Sequence, residues 1–199
     1  MFSRHPQEFG FPIRFDGVQV RSSRHRYTME FCNATLEKYI STNNSKLAFG
    51  TRKRIALQFL YGINYLARKN ILHRDLSYGN VLVKTHDHGA VTLKLSDFGL
   101  HKPQDSSLTR TGTAMKGTIV DPTLESLKDY SLVNEIHAVG YIVSYIFTGR
   151  QAPHLNGALG EVVRKCIDVD HSARFKAITE IITAVDKLEQ GALTAPTKS

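Results

Sequence analysis

The sequence predicts an α+β fold that is mainly helical. Two β-prone runs, residues 13–20 and 26–31, stand near the N-terminus. Two short strand patterns, 81–84 and 91–95, flank the turn Asp87-His88-Gly89. Helical patterns at 51–69, 134–147, 159–167 and 175–188 occupy much of the remainder. A chain of 199 residues is long enough for one domain with a substantial core.

The first two strand runs are separated by the basic stretch RSSRHR at 21–26, expected to be a solvated hairpin loop. Residues 36–40 suggest a short helix. In 51–69, Thr51 is the expected N-cap and Asn70 the stop. Between them Ile55, Phe59, Ile63 and Leu66 recur at helical spacing, which predicts a core-facing stripe. Val91, Leu93 and Leu95 alternate with Thr92, Lys94 and Ser96, so this run pairs with 81–84 as a hairpin. Residues 102–118 are rich in Ser, Thr and Gly without periodicity and predict a long loop. The run 134–147 is apolar with few charges, hence a buried helix, stopped by Gly149. The tail at 191–199 is expected to be disordered.

Composition narrows the function classes. Hydrophobic residues make up 41% and charged residues 22%, ordinary for a soluble globular protein. The net charge of +8 arises from 26 Lys+Arg against 18 Asp+Glu, but the basic residues are dispersed. The one short cluster, at 21–26, is a weak signal, so nucleic acid is not expected as a partner. Cys32 and Cys166 are far apart and lack metal-ligand neighbours, which fits a reducing compartment. The longest apolar stretch, 138–147, is interrupted by Gly140, Tyr141 and Ser144 and is too short for a bilayer. The first residues carry no apolar segment of signal-peptide length. The expectation is a cytoplasmic protein without a membrane partner.

The chemistry concentrates in His73-Arg74-Asp75, Asn80 and Asp97-Phe98-Gly99. Asp75 and Asn80 bound one loop just before a strand, and Asp97 follows the partner strand of the same hairpin. A hairpin brings those ends together. Two carboxylates and an amide oxygen then share one small volume. Magnesium favours hard oxygen ligands, often one or two carboxylates beside phosphate oxygens. Asn80 and Asp97 are the candidate metal ligands, and Asp75 is left to orient a hydroxyl and accept its proton. Phosphoryl transfer needs positioning and charge neutralisation more than covalent help.

HRDLSYGN followed by DFG resembles the catalytic loop and metal-binding motif of eukaryotic-type protein kinases. The resemblance extends over residues 5–188 and implies a kinase-like large lobe carrying a remnant of the small-lobe sheet. It divides the chain into a small-lobe remnant with hinge at 1–32, a large lobe at 33–190 and a tail at 191–199. Met29-Glu30-Phe31-Cys32 resembles the hinge, with Met29 as gatekeeper. By that likeness, backbone groups of Glu30 and Cys32 bind adenine and Leu82 packs beneath the ring. The implied cofactors are ATP and magnesium, and the implied partner is a protein substrate. Arg74 would pair with a phosphate on the activation segment, for which Ser106, Ser107, Thr109, Thr111 and Thr113 are candidates. Lys116-Gly117-Thr118 and Asp121-Pro122 resemble the end of that segment, and Gly117-Thr118 favours Ser/Thr over Tyr as acceptor. Arg174 sits where the family has a structural arginine.

The sequence also departs from the family. No glycine-rich loop and no lysine strand precede the hinge. His5-Pro6 resembles the turn after the missing helix, so the chain is expected to start inside a small lobe, with an upstream segment or a partner chain as candidate source of the rest. Ser77 and Gly79 stand where serine and tyrosine kinases respectively carry a cation. Thr123 replaces the glutamate that would pair with Arg174, leaving Glu125 as a nearby substitute. Glu135 replaces the helix aspartate that anchors the catalytic loop. The readings left open are an active Ser/Thr-directed protein kinase, a kinase-like nucleotide- or protein-binding scaffold, and a small-molecule kinase.

Overall fold

The computed structural model describes residues 15–21, 24–97 and 117–193. Phe98, Gly99, Lys116, His5-Pro6 and the five candidate phosphate acceptors lie outside them.

Strands β1 (Phe15–Arg21) and β2 (Arg24–Met29) form an antiparallel pair. Pairing continues to Arg21 opposite Arg24, so most of the basic run lies on the strands and not in an open loop. A ladder satisfies backbone groups that an open loop would leave to water. Strands β3 (Ala34–Thr35), β4 (Val81–Thr85) and β5 (Val91–Leu95) form a second antiparallel sheet in that order. Val81 pairs with Leu95 and Val83 with Leu93, and all four side chains are buried. Strand alternation puts Leu82, Lys84, Thr92 and Lys94 on the opposite face.

Helix α1 (Leu36–Asn43) starts directly from β3. The Thr35 side chain caps it by accepting from the Lys38 N–H at 3.2 Å. Leu36 and Ile40 are fully buried, and the helix runs three residues beyond the expected 36–40.

Helix α2 (Phe49–Arg68) begins two residues before Thr51, which therefore is not its cap. The first turn is held by tertiary contacts instead. Phe49 packs on Phe147 with ring centroids 5.4 Å apart. The buried Arg52 guanidinium donates to the carbonyls of Leu47 (3.1 Å), Ile146 (2.8 Å) and Asn44, and to Asn44 Oδ1 (2.8 Å). The end follows the sequence expectation. Asn70 adopts φ 56°, with Asn70 N–H on the Ala67 carbonyl and Ile71 N–H on that of Leu66, a Schellman close. Ile55, Phe59, Ile63 and Leu66 are all buried. Each such side chain contributes about 1.5–3 kcal/mol on burial. From the same helix Gln58 donates to the Val91 carbonyl and accepts from the Leu93 N–H, both at 3.1 Å, sealing the edge of β5.

Helix α3 (Leu132–Thr148) is buried on nearly every face. Gly149, at φ 70°, ends it, and its N–H returns to the Tyr145 carbonyl at 2.7 Å. Helix α4 (Gly157–Ile167) crosses α3 at Gly140, where an added Cβ would fall 2.5 Å from Cys166 Cβ. Helix α5 (Ile178–Asp186) is shorter than the expected 175–188. Phe175 and Leu188 are buried, so their spacing reported core membership without helix. Of the expected tail at 191–199, residues 194–199 lie outside the described residues; in 191–193, Ala192 is buried and its carbonyl accepts from Leu159 N–H at 3.0 Å. No helix among the described residues is long and apolar enough to cross a membrane.

Candidate active site

The loop after α2 is anchored from α3. Glu135, almost wholly buried, accepts the His73 N–H on Oε1 at 2.8 Å and the Arg74 N–H on Oε2 at 3.1 Å. The Tyr130 hydroxyl also donates to Oε2 at 2.7 Å. Burial and the Glu135 charge push the Tyr130 hydroxyl pKa far up, so it stays protonated as a donor. Arg74 has φ 65°, a sparsely populated region for a non-glycine residue. The two N–H bonds to one carboxylate over-determine that turn and hold it. From the other side, the His73 ring Nε2 lies 2.9 Å from the Ser96 carbonyl oxygen.

Asp75 and Asn80 are brought together at the end of this loop. Asn80 Nδ2 donates to the Asp75 carbonyl at 2.8 Å and to Asp75 Oδ2 at 3.1 Å. The other carboxylate oxygen, Oδ1, accepts from the Thr118 hydroxyl at 2.6 Å. Thr118 is placed by its bridge to Ser77, and by Ile119 N–H on the Leu76 carbonyl at 3.2 Å. Asn80 N–H is shared between the Ser77 carbonyl (3.3 Å) and Ser77 Oγ (3.1 Å). Asp97 enters through β5, because Ser96 donates to the Asn80 carbonyl from N–H (3.0 Å) and from Oγ (3.1 Å). Asp97 itself is exposed and has φ 59°.

The donor set fits magnesium chemically. The Asn80 amide nitrogen is committed to Asp75, which leaves its oxygen as the ligand end. With the Asp97 carboxylate it makes two hard oxygen donors, and magnesium completes its shell from water and phosphate.

Of the second group of expected site residues, Leu82 lies on the outer face of the β4–β5 hairpin and the Glu30 side chain is bound to that face. Met29 ends β2 and is 49% exposed, and Leu82 is half-buried. Glu30 does not face solvent alone. Its Oε1 accepts from Lys84 Nζ at 2.8 Å, and Oε2 lies 3.4 Å from Lys94 Nζ. The Lys84 hydrogen bond, against some desolvation, holds the Glu30 carboxyl below its ordinary pKa. Cys32 is half-buried, and burial pushes its thiol pKa up, so the thiol is not a poised nucleophile.

A sequence model of the protein tyrosine and serine/threonine kinase family matches residues 12–185. The chain belongs to the protein kinase family. Spermatocyte protein spe-8 of Caenorhabditis briggsae is 30% identical over 159 residues, covering 78% of this chain and 30% of that protein. Calmodulin-binding receptor-like cytoplasmic kinase 3 of Arabidopsis thaliana is 32% identical over 129 residues, covering 60% of this chain and 24% of the relative. Dual specificity testis-specific protein kinase 2 of Mus musculus is 29% identical over 143 residues, covering 70% and 25% respectively. This kinase chain thus spans about a quarter to a third of the length of these relatives.

One structural element of the kinase fold differs from the sequence expectation. Arg174, fully buried, pairs with Asp121 and not with Glu125, which is exposed. Nη1 and Nη2 reach Oδ2 and Oδ1 of Asp121 at 2.5 and 3.2 Å. Asn134 Nδ2 donates to Oδ2 at 3.1 Å, and Thr123 donates to Oδ1 from its hydroxyl (2.7 Å) and N–H (3.0 Å). Burial alone would raise the Asp121 pKa. The Arg174 and Thr123 hydrogen bonds overcome it and hold the carboxyl well below the usual range. Sequence reasoning identified Asp121 only as part of a segment-end resemblance. Thr118 was legible in the same limited way, and the Lys84–Glu30–Lys94 cluster was not found. Its one available signal was the alternation that puts Leu82, Lys84 and Lys94 on one strand face.

Proposed function

We propose that this chain carries the phosphoryl-transfer chemistry of an ATP- and magnesium-dependent protein kinase directed to serine or threonine hydroxyls. The observation that carries the reading is the Asp75 carboxylate, held between the Thr118 hydroxyl and the Asn80 amide. That geometry suits a base which orients the acceptor hydroxyl and takes its proton. Asn80 Oδ1 and the Asp97 carboxylate would hold magnesium, which when bound neutralises charge on the transferring phosphate. Met29, the backbone of Glu30 and Cys32, and Leu82 would receive the adenine. Arg74, next to Asp75 in the anchored turn, would answer a phosphate on the activation segment. Participation of Thr118 in fixing Asp75 supports the Ser/Thr direction.

The test is magnesium-dependent ATP turnover by the purified chain on Ser/Thr and Tyr acceptor peptides, beside Asp75→Asn and Asp97→Asn. Turnover on Ser/Thr peptides, lost in both variants, is expected. Equal turnover in all three proteins would overturn the assignment.

A second reading is a nucleotide- or protein-binding scaffold without turnover. Ser77 favours it. Its short neutral side chain is buried and engaged with the Asn80 N–H, so no cation stands there to steady the phosphoryl group. Nucleotide binding without turnover on any peptide would select this reading.

A further inference from the structure

The Lys84–Glu30–Lys94 cluster lies outside the phosphoryl-transfer residues, yet it touches the segment on which base recognition would depend. Lys94 pairs across the hairpin with Leu82, and Lys84 follows Leu82 by two residues on β4. All three side chains therefore rise from one strand face. Glu30 lies over that face between the two ammonium groups, with its side chain 17% exposed and that of Lys94 only 12% exposed. Lys84, which makes the shorter contact, is 36% exposed, so the carboxylate is covered on the Lys94 side and open to water beside Lys84.

The linker from β2 to β3 is also pinned three residues later. Asn33 N–H donates to the Val83 carbonyl at 2.9 Å, and Asn33 Oδ1 accepts from Thr85 N–H at 2.7 Å. Residues 31–32 are thus suspended between two fixed points, with Phe31 77% exposed. The Asn33 anchor is backbone-like and insensitive to charge. The Glu30 anchor is made by charged partners, Lys84 and Lys94.

We propose that the Glu30 side chain, clamped by Lys84 and Lys94, is a positioning group for a purine base, holding the backbone of residues 30–32 at a fixed height above Leu82. The proposal rests on the nucleotide-binding part of the function proposed above, and assigns the side chain a task separate from any backbone contact. Preforming the linker lowers the ordering cost of binding, so loss of the clamp weakens affinity without removing a ligand contact. The effect belongs to the base end of the nucleotide, whereas Asp97 acts at the phosphate end.

Direct titration of the purified chain with adenosine and with MgATP separates the two ends. Glu30→Gln is expected to weaken adenosine and MgATP by the same factor, about tenfold, the scale of a charge-assisted contact. Asp97→Asn should weaken MgATP alone. Lys84→Met combined with Glu30→Gln should weaken adenosine no further than Glu30→Gln does, because both changes release one clamp. Unchanged adenosine affinity in Glu30→Gln, with the fold intact by thermal unfolding, overturns the proposal, as does full additivity in the double variant. Glu30-dependent adenosine binding together with MgATP binding indifferent to Asp97→Asn would support the clamp and overturn the metal assignment. An unaltered chain that binds neither ligand overturns both.

Discussion

The Thr118 hydroxyl donates to the Asp75 carboxylate at 2.6 Å across 43 residues of sequence. This contact joins the loop after α2 to the segment before α3. It leaves the carboxylate one defined orientation, because Asn80 occupies the other oxygen.

Removal of the hydroxyl should therefore disorient Asp75 without unfolding the domain. Thr118→Val is expected to lower kcat by about a hundredfold, the scale of a misplaced reacting group. Thr118→Ser should restore most of it. Steady-state kinetics on a Ser/Thr peptide, with KM for ATP expected to stay level, checks both.

Glu135 is the single acceptor for two backbone N–H groups and for Tyr130. Glu135→Ala leaves the buried His73 N–H and the part-buried Arg74 N–H and Tyr130 hydroxyl without that acceptor, at about 1–3 kcal/mol for a buried unsatisfied group. Equilibrium denaturation should record a loss of several such increments. Tyr130→Phe, which removes one donor and keeps the carboxylate, should cost about 1 kcal/mol.

Asp121 and Arg174 form a buried pair, so removing one partner strands the other. Asp121→Asn or Arg174→Met is expected to destabilise the domain by about 3–5 kcal/mol. Glu125 is exposed, and Glu125→Gln should change stability by less than about 0.5 kcal/mol. Denaturation midpoints of the three variants distinguish the observed partner from the one suggested by proximity in sequence.

The same pair makes the domain acid-sensitive. Burial holds the His137 pKa below its ordinary value, partly offset by Asp121, while Arg174 and Thr123 hold the Asp121 carboxyl low. His171 Nε2 also faces this carboxylate, 3.8 Å from Oδ2. As pH falls, the unfolded chain binds protons at His137 and Asp121 before the folded chain does, so stability falls. The loss through His137 begins below about pH 6.5, and that through Asp121 below about pH 4. Thermal unfolding against pH should show both stages, and His137→Gln should remove the first.

Close approach of α3 and α4 supplies a test of packing. An alanine at Gly140 would put its Cβ 2.5 Å from that of Cys166 and 3.1 Å from Ile167 Cγ2. Gly140→Ala is expected to cost about 1–3 kcal/mol despite its better helix propensity. An increase in stability would contradict the observed helix contact.

The sequence by itself determined what depends on short spacing. Periodicity located α2 and its buried stripe, and alternation located the β4–β5 hairpin. Asp75 meets Asn80 within one short loop, and the hairpin returns Ser96 to the Asn80 carbonyl, contacts that short spacing can encode. Asn70 and Gly149 could be identified as helix stops because a left-handed residue is a local demand. The tertiary structure decided what depends on long-range partners. Arg174 meets Asp121 from 53 positions away, and Lys84 meets Glu30 from 54. The start of α2 moved from Thr51 to Phe49 because Arg52 and Phe49 find Ile146 and Phe147. Local propensity sets the period of an element, but a charge or a ring takes its partner from whatever the packed chain brings near. No spacing rule encodes that choice.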